Sequence, residues 1–145
     1  MPASPQNFYQ ILRLHQLVTS CLDEALPLVG LTAHQYTILS LVRNMEPTTS
    51  ALLARRLQIS AQSTGETLKV LQARGLVQRG ESANNKRLVL FTVTPEGKRL
   101  VLRADRLVTR AEEQFFSCIS TAALQSLQES IRRIRATRRR SVGSQ

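Results

Sequence analysis

Residues 53–79 read LARRLQISAQSTGETLKVLQARGLVQR, where helix-forming runs alternate with stop signals at intervals suited to two short, abutting helices. Ser50 has the chemistry of a cap for the first, which carries Leu52, Leu53 and Leu57. After a turn at Gln58 and Ile59, Ser60 caps a second helix over 61–74, and Gly75 closes it. Leu53, Leu57, Ile59, Thr64, Leu68 and Leu71 fall where the two would lock together at a steep angle. A separation of three or four residues between such helices is a helix-turn-helix spacing.

Two β-prone runs follow at once, Leu76–Arg79 and Arg87–Val93, joined by Glu81-Ser82-Ala83-Asn84-Asn85-Lys86. Paired asparagines tolerate left-handed turn positions, so a hairpin with a polar tip is expected. Helix-turn-helix followed by hairpin reads as a winged helix, its wing 80–88 bringing Lys86 and Arg87 towards a minor groove.

Upstream, Thr32 is a candidate cap ahead of Tyr36, Ile38, Leu39, Leu41 and Val42, a helix that ends near Asn44–Pro47. Earlier still, Phe8, Ile11, Leu12, Val18, Cys21, Leu22, Ala25, Leu26 and Val29 recur in steps that keep one helix face largely apolar, until Pro27 and Gly30 end it. Downstream, Thr94-Pro95-Glu96 opens a long helix with Leu100, Val101, Ala104, Leu107, Val108, Ala111, Phe115 and Ile119. Ser120 begins the last, whose Leu124, Leu127, Ile131 and Ile134 form the seam of a helix pair.

A chain of 145 residues is about one domain's worth, and 42% hydrophobic content suffices for a packed core. With no Trp and few aromatics, that core is built from Leu, Val, Ile and Ala. The expected fold class is mainly α with a small β-hairpin wing. A single domain over 1–145 would comprise a winged helix-turn-helix at 31–97 and long dimerisation helices at 1–30 and 98–140. The apolar stripes of those terminal helices exceed what one small unit covers, so the expected partner is a second copy. A two-fold dimer would hold two recognition helices about 34 Å apart, one turn of DNA.

Charge points the same way. Twenty Lys/Arg against ten Asp/Glu give +10, and it is unevenly placed. Residues 1–50 are close to neutral, whereas 51–99 carry +6 and 100–145 carry +5. A basic middle and end suit a phosphate backbone. No apolar run approaches the 18 residues of a membrane span, and no signal-peptide pattern opens the chain, so a cytoplasmic protein that does not engage membranes is expected. Cys21, Cys118, His15 and His34 lack metal-ligand spacing, so no metal or other cofactor is expected. Without paired carboxylates, a phosphate loop or a Ser/His/Asp arrangement, neither is enzymatic activity.

The order of elements, with LTAHQYTIL at 31–39, the 53–79 segment and NNKRLVLFTVTPEGKRL at 84–100, resembles the MarR family of dimeric winged-helix transcription regulators. The most specific parts are Leu71 followed by Arg74-Gly75-Leu76-Val77, then Thr94-Pro95-Glu96-Gly97 beyond the wing. The resemblance implies that the 61–74 helix enters the major groove with Gln62, Ser63, Glu66 and Lys69 facing DNA. Gln62 suits adenine, Ser63 a phosphate or base edge, and Lys69 phosphate or guanine. Arg55, Arg56, Arg74 and Arg79 are candidate phosphate contacts, and Lys86 and Arg87 serve the wing.

Two departures from the family pattern stand out. Glu66 occupies a position that is often basic, and Asn85-Lys86-Arg87 replaces the common Asp-x-Arg, leaving Arg87 an uncharged neighbour to brace it. Gly65, mid-helix, suits either a close backbone approach to DNA or no function at all.

The resemblance also implies a homodimeric, ligand-responsive repressor of a pseudo-palindromic operator, bound by a small aromatic acid or phenolic effector. His15, on the inward face of the first helix, with Thr19, Tyr36 and Ser40, would line that pocket. Alternatives are a thiol-based redox-sensing regulator working through Cys21, or an interaction module with weak DNA binding. The Arg132–Arg140 run suits the dipole of the last helix, solubility or phosphate contact.

Overall fold

The computed structural model describes residues 6–142, with side chains to 138, so the first five residues, the last three and the side chains of Arg139 and Arg140 lie outside the described set. It divides into two compact units, one up to Ala111 and one from Glu112.

In the first unit, α1 (Gln6–Ala25) gives way to a 3-10 turn, Leu26–Val29, because Pro27 has no amide proton to continue the α-helical ladder. Next come α2 (Ala33–Met45), α3 (Ser50–Leu57) and α4 (Ala61–Ala73). Strands β1 (Val77–Glu81) and β2 (Val89–Val93) pair antiparallel with Val77 opposite Val93, and α5 (Pro95–Phe115) follows. The second unit holds the last turn of α5 and α6 (Thr121–Val142). The expected mainly helical fold with a hairpin wing is present.

The caps explain the boundaries. Thr32 accepts from the Gln35 amide while the Gln35 side chain accepts from that of Thr32, a full capping box at α2. Ser60 accepts from Ser63 at α4, Thr94 from Gly97 at α5, and Ser120 from Ala123 at α6. At α3 the cap is Thr49, whose hydroxyl accepts from Leu52; Ser50 is already helical, so the helix starts one residue earlier than expected. Gln58 ends α3 in the left-handed region, at φ 56°.

The wing departs from expectation at its tip. Arg87 lies outside β2, and neither asparagine has a positive φ; among the described non-glycine residues only Gln58 does. Side chains make the turn instead, Asn85 Oδ1 accepting from the Arg87 amide at 3.1 Å and Ser82 Oγ from the Asn84 amide at 3.4 Å. An unexpected third piece joins the hairpin. Thr48 bridges Phe91 through two backbone hydrogen bonds of 3.1 and 2.7 Å, so the link between α2 and α3 is stitched to β2.

The core consists of Leu26, Ile38, Leu39, Val42, Leu53, Leu68, Leu71, Val77 and Val101 with their neighbours. Thr64, Leu68 and Leu71 are the buried positions of α4, as their spacing implies. At about 1.5–3 kcal/mol for each large apolar side chain, this cluster fixes the angle between α3 and α4. Gly97 lets α5 start against the sheet: a Cβ there would collide with the Leu76 carbonyl and lie 2.8 Å from Val93 Cγ1.

α1 has no buried residue at all. Phe8 is 73% exposed, and Tyr9, Ile11, Leu12, Leu14, Leu17 and Val18 are also open. In the second unit, Leu124 and Leu127 of α6 are half-buried, whereas Ile131 and Ile134 are exposed. Among the described residues, no single helix is long and apolar enough to cross a membrane.

Candidate nucleic-acid interface

The face of α4 opposite its core residues carries Gln62, Glu66 and Lys69, all exposed, with Ser63 half-buried beside them. Gln62 and Glu66, one turn apart, are bound to each other, Gln62 Nε2 donating to Glu66 Oε1 at 3.2 Å. The carboxylate that departs from the basic pattern therefore occupies the amide best suited to adenine. Ser63 Oγ lies 3.5 Å from His34 Nε2 on the first turn of α2, a neighbour that sequence reasoning did not assign. Around Gly65 there is open space, since an added Cβ would meet nothing within 4 Å.

Arg55 and Arg56, in the last turn of α3, are exposed, as are Arg79 on β1 and Lys86 and Arg87 at the wing tip. Among the described residues, none of these five side chains pairs with a carboxylate. Asn85 does brace Arg87, though through its backbone amide. The guanidinium is left for another partner.

Arg74 is engaged differently. It donates to the Gly30 carbonyl at 2.8 Å and lies 3.4 Å from Gln35 Oε1, fastening the end of α4 to the start of α2. Its sequence position beside Gly75 does not foretell this, because the acceptors lie 44 and 39 residues away.

The expected pocket residues divide. His15 does not face inward: with little of this chain packed on α1, it is exposed. Thr19 is half-buried and donates to the His15 carbonyl at 2.9 Å. Tyr36 and Ser40 lie on α2, where the Tyr36 hydroxyl donates to Asp105 Oδ1 of α5 at 2.8 Å. Arg43 grips Oδ2 of the same carboxylate at 2.6 Å. Burial first, and then the Asp105 carboxylate, push the Tyr36 hydroxyl up to about 12. Ser40 Oγ is buried close to the Tyr36 hydroxyl and acts to lower its ionisation against the larger upward push.

A second anchored carboxylate, Glu46, accepts from the Val93 amide at 2.7 Å and pairs with Lys98 at 3.3 Å. The Val93 hydrogen bond, helped by Lys98 and opposed by burial, holds it below the usual carboxylate range. Cys21 is half-buried and Cys118 exposed, both as free thiols. Among the described residues, no group of three His, Cys, Asp or Glu could hold a metal ion.

Residues 29–88, which span α2 through the wing, match the family model described as MarR family. The HTH-type transcriptional repressor Rv2887 of Mycobacterium tuberculosis is 28% identical over 104 residues, which cover 72% of this chain and 75% of that protein. A mutant MarR of E. coli in complex with operator DNA superposes with a TM-score of 0.83 at 21% identity, over 90% of this chain and 94% of that one. CouR from Rhodococcus jostii bound to p-coumaroyl-CoA gives 0.82 at 23% identity, over 90% and 92%.

Proposed function

Because residues 29–88 match the MarR family model, we propose that this chain is a MarR-type homodimeric repressor that binds a pseudo-palindromic operator in the cytoplasm and catalyses no reaction. One observation carries this reading. A single compact unit presents the polar face of α4, with Lys69, alongside a wing whose Lys86 and Arg87 have no carboxylate partner among the described residues. Lys69, Arg55, Arg56 and Arg79 contact phosphates and set the register, Arg87 enters the minor groove, and Gln62 and Ser63 read base edges once Gln62 leaves Glu66. Arg74 contributes by holding α4 in place.

The exposed apolar face of α1 and the exposed Ile131 and Ile134 of α6 support a second copy as the cover for both. Response to an effector is supported by the CouR complex with p-coumaroyl-CoA.

Selection of bound genomic fragments, followed by fluorescence anisotropy, tests the proposal. A preferred duplex should emerge whose affinity falls steeply with salt, and Arg87→Ala should weaken it and flatten the salt slope by about one. Binding without sequence preference over competitor DNA would overturn the operator reading in favour of an interaction module. Sedimentation of Leu12→Asp should show a dimer-to-monomer shift. A wild-type chain that is already monomeric would remove the two-fold arrangement.

A further inference from the structure

Glu66 stands on the exposed face of α4, between Gln62 one turn before it and Lys69 three residues after it. Its Oε1 accepts from Gln62 Nε2 at 3.2 Å. Among the described residues it has no cationic partner, not even Lys69, in a chain of net charge +10. One neutral amide is thus the group that answers this charge, and the amide is withdrawn when Gln62 turns to a base edge. A carboxylate only accepts hydrogen bonds, so one pressed against a duplex without a donor is strongly unfavourable. The major groove holds two kinds of donor, the amino groups of cytosine N4 and adenine N6. They are not equivalent. Adenine N7 is an acceptor beside N6 and repels the second carboxylate oxygen, whereas the edge of cytosine presents its amino group with no acceptor of its own.

We propose that Glu66 is a specificity-determining residue that accepts from the N4 amino group of a cytosine in each half-site, while Gln62 takes a nearby adenine. The assignment rests on the reading of α4 as the helix that enters the major groove. Gln62 and Glu66 are separated by about 6 Å of helix rise, so the two bases lie within about two base pairs of each other. In the free protein the two side chains satisfy one another. A duplex that offers both bases replaces that bond with two, whereas one that offers a single match leaves the other side chain without a partner. Thymine O4 and guanine O6 and N7 meet the carboxylate only with acceptors, so discrimination comes chiefly from rejection. An acid on this face gives up part of the attraction to phosphates and gains the exclusion of wrong bases.

Fluorescence anisotropy of the full chain on the duplex that emerges from selection tests this. Each half-site should hold a cytosine at one fixed step, within about two base pairs of an adenine. Exchanging that C·G pair for T·A should weaken binding by on the order of tenfold. N4-methylcytosine should do the same, because it keeps the base pair and puts a methyl group where the amino hydrogen faces the groove. Glu66→Ala should bind the cytosine, thymine and N4-methylcytosine duplexes within about twofold of one another, the coupling having gone with the carboxylate. Glu66→Gln, whose amide both donates and accepts, should move the preference at that step from cytosine to adenine. Both variants change an exposed side chain and should keep the circular dichroism spectrum of the wild type. The assignment is overturned if selected half-sites carry no fixed cytosine, if the wild type binds N4-methylcytosine as well as cytosine, or if Glu66→Ala keeps the wild-type base preference. A carboxylate that only repels phosphates gives that last result, since its removal strengthens binding to every duplex alike. A wild-type chain that binds DNA with no sequence preference overturns the regulator reading itself, and the Glu66 assignment with it.

Discussion

The Arg43 guanidinium reaches the Asp105 carboxylate at 2.6 Å, across 62 residues of sequence, and ties α2 to α5. The two side chains are 26% and 31% exposed, so water screens the pair only in part. Tyr36 uses the other oxygen, which leaves the carboxylate bridging two positions of one helix.

Asp105→Ala should therefore cost more than an exposed ion pair and less than a fully buried one, about 1–3 kcal/mol in urea unfolding. A double-mutant cycle between Asp105→Ala and Tyr36→Phe should show positive coupling. Strictly additive losses would mean that the two hydrogen bonds act independently.

Tyr36 makes an alkaline prediction. Its hydroxyl ionises only near 12 in the folded protein, above the ordinary value of 10.0. The stability linked to it is thus complete below pH 10 and lost as pH rises towards 12. Absorbance at the tyrosinate band should include a late step that Tyr36→Phe removes. Should the late step persist in that variant, Tyr36 is not the group that titrates late.

Glu46 predicts the acid side. Its depressed ionisation means that the stability it contributes is present above the unfolded carboxylate range and fades as pH falls through its folded value. Glu46→Gln should lower Tm at neutral pH and flatten the Tm profile on the acid limb. A variant profile parallel to that of the wild type would deny the Val93 and Lys98 contacts this role.

Two glycines should respond in opposite ways. Gly97→Ala forces the start of α5 off the Leu76 carbonyl and Val93, and should destabilise by several kcal/mol, in the manner of an overpacked site. Gly65→Ala has open space around the new methyl and should stabilise α4 by up to about 1 kcal/mol. If DNA approaches that backbone closely, the same variant loses operator affinity while gaining Tm; unchanged affinity assigns Gly65 no role in binding.

Glu66→Ala should release Gln62 and remove a negative charge from the proposed DNA face. Non-specific affinity at low salt should rise severalfold, and discrimination among duplexes should change at the base pair Gln62 meets. No change in either measurement would place both residues outside the interface.

Much of the framework was legible because it rests on local chemistry. Thr32, Ser60, Thr94 and Ser120 cap helices through bonds to residues three positions on, and such bonds can be read from spacing. The shift from Ser50 to Thr49 and the wing built by Asn85 and Ser82 side chains show the limit of that reading. Neighbouring residues of similar chemistry compete, and only the folded backbone selects between them.

The amino-acid order alone determined the succession of helices, the hairpin and the buried side of α4, since helical periodicity and capping act over a few residues. Packing decided which charges are spent within the protein and which remain free. Arg74, Arg43 and Glu46 look no different in sequence from Arg87, Arg103 or Glu66, yet their partners stand 39 to 62 residues away. An ionic or hydrogen-bonded contact needs atoms within about 3 Å, and distances of that order between remote residues exist only once the core has closed.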